Sequence, residues 1–200
     1  LEAKGWQPNP DANPGQLLRR THLDLIGLPP TIAEQAVPFD YLALVDNLLG
    51  RKGYGERYAR HWLDVVRYAD SNAYERDGAK PEVWRYRDYV IRSLNADKRF
   101  DRFLTEQLAG DEVADASMET VVATGFNRLG PWDDEPADFA VDRYDQLDDI
   151  VNTTSQAFLG LTMGCARCHD HKFDPLSHRD YYSMVAVFNP LKRPQRGRKE

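Results

Sequence analysis

Cysteine is nearly absent from this chain: 200 residues hold only Cys165 and Cys168. A disulfide framework is thereby excluded as the source of the fold, and the length suffices to bury a core without one. Long apolar runs are missing too, so no segment of the sequence can span a bilayer as a helix. Positive charge is in deficit. The 26 Lys and Arg against 32 Asp and Glu leave a net charge of −6, which argues against a nucleic-acid partner. The single basic run, Lys192 to Lys199, lies at the end of the chain, and residues 190–200 read as a flexible tail. No repeat or low-complexity segment occurs. The chain opens at Leu1 without a signal peptide, as expected of a processed protein or an excised domain. What is present is a 42% hydrophobic, 11% aromatic composition that fits one folded globular domain over residues 1–200.

Both cysteines fall within Gly164-Cys165-Ala166-Arg167-Cys168-His169-Asp170-His171-Lys172-Phe173-Asp174-Pro175. The centre of this stretch has the C-x-x-C-H spacing of c-type haem attachment. Two thiols three positions apart can each form a thioether to one vinyl group of a porphyrin. The imidazole of His169, directly after the second thiol, then supplies the proximal iron ligand. Other chemistries share part of the pattern. A thioredoxin-like redox pair expects a strand before the first cysteine, whereas Thr153 to Leu161 reads as helix. A structural zinc site recruiting His169 and His171, or a local disulfide, remains an alternative.

The pattern along the chain is helical. Asn13-Pro14 and Gly27 frame a first helix with Leu17, Leu18, Leu25 and Ile26 turned to the core. Thr31-x-x-Glu34 resembles a capping box before Pro38. Phe39 to Leu49 places Phe39, Leu42, Val45 and Leu49 at helical spacing. Glu56 to Asp70 forms a stripe of Tyr58, Trp62, Val65 and Ala69, with His61 on its edge. A polar loop spans Ser71 to Pro81, and helices follow over Glu82 to Leu94 and Phe100 to Leu108. Met118 to Phe126 reads equally as strand or helix, and Pro131 to Pro136 is an acidic loop. The longest helix runs from about Asp142 to Leu161 and delivers the chain to the cysteines. Ser177-x-x-Asp180 caps a last one. The expected fold is mainly α: an irregular multi-helix domain with long loops around a c-type haem site.

Several phrases carry a family resemblance: Leu23-Asp24-Leu25-Ile26-Gly27-Leu28-Pro29-Pro30-Thr31, Arg60-His61-Trp62-Leu63-Asp64, Arg67-Tyr68-Ala69-Asp70-Ser71, Trp84-Arg85-Tyr86-Arg87-Asp88-Tyr89, Gln107-Leu108-Ala109-Gly110-Asp111 and the Cys165 to Pro175 core. Together they resemble the planctomycete-type cytochrome-like domain, first catalogued as a domain of unknown function, over nearly the whole chain. The resemblance implies a periplasmic or cell-surface protein that carries haem c and often has a separate cytochrome-like neighbour. It implies no settled enzymatic activity.

On this reading Cys165 and Cys168 attach the haem and His169 is its proximal ligand. His61 is the first choice for the opposite axial position, with a core-edge histidine as the alternative. Met163 and Met184 are further choices, although a helical Met more often fills a core. Arg167, His171 and Lys172 either hydrogen-bond the propionates or form a solvated charged loop. Asp170, Asp174 and the run Asp133 to Glu135 offer oxygen ligands for calcium, or are solvated acids. Arg85, Arg87, Asp88 and Asp64 read as structural ion pairs in the helical core. The expected partner is a redox protein or a neighbouring cytochrome-like domain. The alternatives are a non-haem domain of a secreted carbohydrate-processing assembly with structural cysteines, or a haem enzyme with an open sixth site.

Overall fold

The computed structural model describes residues 2–192, so most of the C-terminal basic run lies outside it. Among the described residues the chain forms nine α-helices and no strand. They are α1 (Pro14–Leu25), α2 (Ile32–Gln35), α3 (Tyr41–Leu49), α4 (Lys52–Val65), α5 (Trp84–Asn95), α6 (Phe100–Ala109), α7 (Met118–Ala123), α8 (Phe139–Thr154) and α9 (His178–Phe188). Local chemistry sets several starts. Asn13, Thr31, Ser117 and Ser177 each close a capping box, in which the cap oxygen accepts the N3 amide and the N3 side chain returns to the cap N–H. Asp40 and Asp138 cap α3 and α8 with a carboxylate at the positive end of the helix.

Two cores organise the helices. In the first, α4 to α7 bury Ala59, Leu63, Val66, Tyr86, Tyr89 and Phe126. In the second, α8 and α9 bury Leu147, Ile150, Val151, Tyr181 and Val185, together with Met163 and Ala166 from a short 3-10 turn. Leu108 packs against both. So does the end of α8. Its ladder loosens into a π turn, Ser155–Leu159, which turns Phe158 back into the first core. There Phe158 stacks on Trp62 at 5.9 Å and on Phe126 at 5.2 Å.

Four expectations shift. In α1 the buried residues are Thr21 and His22, while the leucines are only partly covered. In α3 Leu42 is 74% exposed and Leu48 is fully buried, because the helix rests on α1 and α4 through that edge alone. In α4 the deep face is Gly55, Ala59, Leu63 and Val66, one position round from the expected aromatic stripe. The small residues sit against α5 and the larger Tyr58 and Trp62 fill the flanks. Finally, Arg85–Glu82 and Arg87–Asp88 are surface pairs rather than core pairs. The buried polar network lies deeper. Trp62 Nε1–H donates to Tyr86 and Gln107, and Tyr89 donates to Glu106.

Glu106 is 3% exposed, and burial alone would raise its pKa. Hydrogen bonds from Lys98, Arg102 and Tyr89 outweigh that penalty and hold the carboxyl below its ordinary range.

Candidate functional site

The cysteine stretch hangs from the end of α8. Gly160 adopts a left-handed conformation with φ +66, which ends the π turn and redirects the chain. Met163–Arg167 then winds as a 3-10 turn. Side chains three apart eclipse in this geometry. Met163 and Ala166 therefore share the inward side and are buried, while Cys165 and Cys168, also three apart, are both exposed. Both thiols are free.

The turn is fastened to α8 at two points. The Gly164 N–H donates to Asn152 Oδ1 at 3.0 Å, and a Cβ at Gly164 would fall 2.3 Å from that side chain. The Arg167 guanidinium bridges Asp145 and Asp148, each at 3.0 Å. These partners push the Arg167 pKa upward, Asp145 foremost. Tyr181 of α9 donates to Asp148 from the other side at 2.5 Å, and burial together with this carboxylate raises its phenol.

Three histidines around the turn have distinct tasks. His169 is exposed, and its Nδ1 lies 2.8 Å from the Asp170 carbonyl oxygen. A carbonyl only accepts, so Nδ1 carries a hydrogen directed at it. His171 is the reverse. Its Nδ1 accepts the N–H groups of Asp174 at 2.9 Å and Phe173 at 3.3 Å, so Nε2–H points at Thr162 Oγ1, 3.0 Å away. The His171 side chain is only 6% exposed and serves as the peg of the loop that follows the motif. His178 Nε2–H donates to the Arg167 carbonyl at 2.8 Å, and its backbone N–H donates to Asp170. Lys172 lies over the Phe173 ring at 5.1 Å, and Phe173 itself is 82% exposed.

The PSCyt2 family profile, described as a protein of unknown function (DUF1549), matches residues 1–193. The chain belongs to this family. Its name is a cytochrome-like one, in line with the resemblance carried by the sequence. Searches of curated proteins and of solved structures return no significant match.

Within this PSCyt2 chain the expected site residues divide into two groups. Cys165, Arg167, Cys168, His169, His171 and Lys172 lie in the 3-10 turn and the loop that follows it. Of these, Arg167 and His171 are already engaged within the chain, while His169 and both thiols face outward. His61 stands elsewhere. It lies edge-on to Tyr58 at 5.9 Å and lines an apolar pocket with Trp62, Val65, Phe100 and Ala157, to which no residue of the motif contributes. Met163 is 7% exposed within the second core, and Met184 packs against it. Asp133 accepts the Glu135 N–H, and Asp134 and Glu135 bind Arg76. Among the described residues no three His, Cys, Asp or Glu side chains gather as metal ligands. Asn152, Asp148 and Thr162, which hold the motif in place, went unnoticed in the sequence. Nothing in the sequence singles them out, since α8 carries several other polar and acidic residues.

The donor set fits a covalently held haem. A metal-ligating imidazole ordinarily donates its second nitrogen to a carbonyl or carboxylate, and His169 already does so. Apolar surface is also exposed on both sides of the motif in sequence, with Leu159 at 58% and Phe173 at 82%.

Proposed function

We propose that this chain is a c-type haem-binding electron-transfer domain that works in the periplasm or at the cell surface. One observation carries the reading. Two free, exposed thiols lie in and just past a 3-10 turn, followed directly by an exposed imidazole whose Nδ1–H is held by the Asp170 carbonyl.

Cys165 and Cys168 would hold the group by adding each S–H across one vinyl double bond, so that the hydrogen ends on a vinyl carbon and no oxidant is needed. His169 Nε2 would take the proximal position, oriented by the Asp170 carbonyl. Arg167 then acts as a positioning residue that ties the turn to Asp145 and Asp148. Lys172 is the cation nearest in sequence that can meet a propionate. When bound, haem c supplies an iron that takes up and releases one electron.

The test is expression with a c-type maturation system alongside an authentic cytochrome as control. The expected product is coloured, shows a sharp α-band on reduction and keeps its haem on a denaturing gel. The Cys165→Ser, Cys168→Ser double variant should lose the stain while remaining helical. A colourless wild-type chain beside a matured control contradicts the reading and leaves the thiols to another role.

A further inference from the structure

The corner between α2 and α3 turns apolar side chains to solvent, and the haem reading does not bear on it. Every residue from Gln35 to Ala43 is exposed, and Val37, Pro38, Phe39, Tyr41 and Leu42 all fall in that run. Such a run is out of place on a surface without a task. Helix α3 continues the pattern. Phe39, Leu42, Val45 and Leu49 keep the three- and four-residue spacing that a helix uses to meet a core. Yet Leu42 is 74% and Leu49 42% exposed, and the one buried residue of α3 is Leu48, on the neighbouring edge. The stripe is therefore formed but left unused by the chain's own packing.

The size of this surface says what could cover it. Val37, Phe39 and Tyr41 add exposures of 65%, 37% and 48% to those of Leu42 and Leu49. At on the order of 150–200 Å² for a fully exposed large side chain, these five leave roughly 400–500 Å² of apolar surface on one segment. A standard two-fold interface takes ~800 Å² from each copy, of which about 65% is apolar, so the amounts agree. Residues 193–200, which lie outside the described part, bring no large apolar side chain and do not match the surface.

The stripe is also complementary to itself. Two α3 helices laid antiparallel about a two-fold axis near Val45 set Leu42 of each copy against Leu49 of the other, with the two Val45 side chains between them. The two ends of the helix differ in charge. At the start, Asp40 accepts the Ala43 N–H and meets no cation among the described residues. Just past the end, Lys52 is exposed and meets no carboxylate among them. In the antiparallel arrangement each Asp40 comes to the Lys52 end of the other copy, which fixes the direction of the pairing. Asp46 is exposed on the outer flank of the stripe, where water reaches it. We propose that two copies of this chain associate through this face, α3 against α3.

The experiment is sedimentation velocity of the full chain over a range of concentrations. The expected result is a species of twice the 22.9 kDa chain mass that predominates at about 100 µM and gives way to monomer below about 1 µM. Leu42→Lys is expected to weaken association by at least about tenfold, and Lys52→Glu by about threefold or more. Both side chains are exposed, so helical circular dichroism should match the wild type in each variant. A zero-length carbodiimide cross-link between Asp40 and Lys52, found by mass spectrometry only in the dimer band, is the positional readout. Within one copy the nine residues of α3 hold these side chains about 13 Å or more apart, beyond the reach of that reagent. Monomer at every concentration up to about 300 µM overturns the proposal and leaves the face to a different protein. So does a dimer that neither folded variant weakens, which would place the contact elsewhere on the chain.

Discussion

At the scale of single residues, what sets His169 apart from its neighbour His171 is which nitrogen carries the hydrogen. The Asp170 carbonyl takes the Nδ1–H of His169, whereas two backbone amides consume Nδ1 of His171. The two residues should therefore fail differently. His169→Ala is expected to retain thioether-bound haem on a denaturing gel while its absorption spectrum loses the signature of an axial imidazole, restored by added imidazole. His171→Ala should leave the spectral type unchanged but loosen the loop, lowering stability by about 1–3 kcal/mol through two unpaired amides, measured by urea unfolding. Sequence alone separated His169, as the expected proximal ligand, from His171 in the charged loop, but not by which nitrogen carries the hydrogen, because that depends on partners that only the folded turn brings near.

Glu34 supplies a pH prediction at the same scale. Its carboxyl is lowered from 4.5 to about 2, first by the Thr31 backbone N–H, then by the Thr31 hydroxyl and Arg51. A depressed carboxyl stabilises the folded state fully above pH 4.5, and the contribution fades as pH falls from there toward 2. Wild type should accordingly be more stable than Glu34→Gln at neutral pH, and the gap in urea midpoint should close across that window. A gap independent of pH would remove Glu34 from the account of the α1–α2 corner.

At the scale of elements, the 3-10 turn and the π turn that precedes it present the thiols. Helix starts were largely legible, since Asn13, Thr31 and Ser177 carry caps that act through neighbours three residues away. The departure of Ser155–Leu159 from α-helical winding was not, because nothing in its local pattern distinguishes it from the helix it continues. It follows from Phe158 packing against Trp62 and Phe126, a contact between distant parts of the chain. The α4 stripe was misjudged by one position for a similar reason. Tyr58 and Trp62 are the bulky residues, yet close approach to α5 favours the small face of Ala59. The turn itself depends on Gly164, where a side chain would collide with Asn152. Gly164→Ala is expected to lower stability by about 1–3 kcal/mol in urea unfolding and to reduce haem attachment. Full stability in that variant would show that the turn does not need its close approach to α8.

At the scale of the whole molecule, two cores share α8, its π turn and Leu108. A further tie is the forked pair of Arg67 with Asp149, made by an arginine held at φ 56 beside the Phe126 ring. Non-glycine residues in this conformation are strained, and the pair offsets that strain. Arg67→Ala should therefore destabilise the fold by about 2–4 kcal/mol, since it leaves Asp149 without its cation and keeps the strained backbone. The mainly helical class was visible from periodicity. The split into two cores was not, because it rests on pairings between residues as far apart as Arg67 and Asp149.

The central claim, covalent haem on Cys165 and Cys168, is met most directly by the mass of the intact polypeptide under denaturing conditions. Protein from cells with a working c-type maturation system would be compared with protein from cells without one. The account predicts a gain equal to one haem in the first sample, located by digestion to the peptide containing both cysteines, and the bare chain mass in the second. The bare mass in both samples, beside a matured control cytochrome, would contradict it.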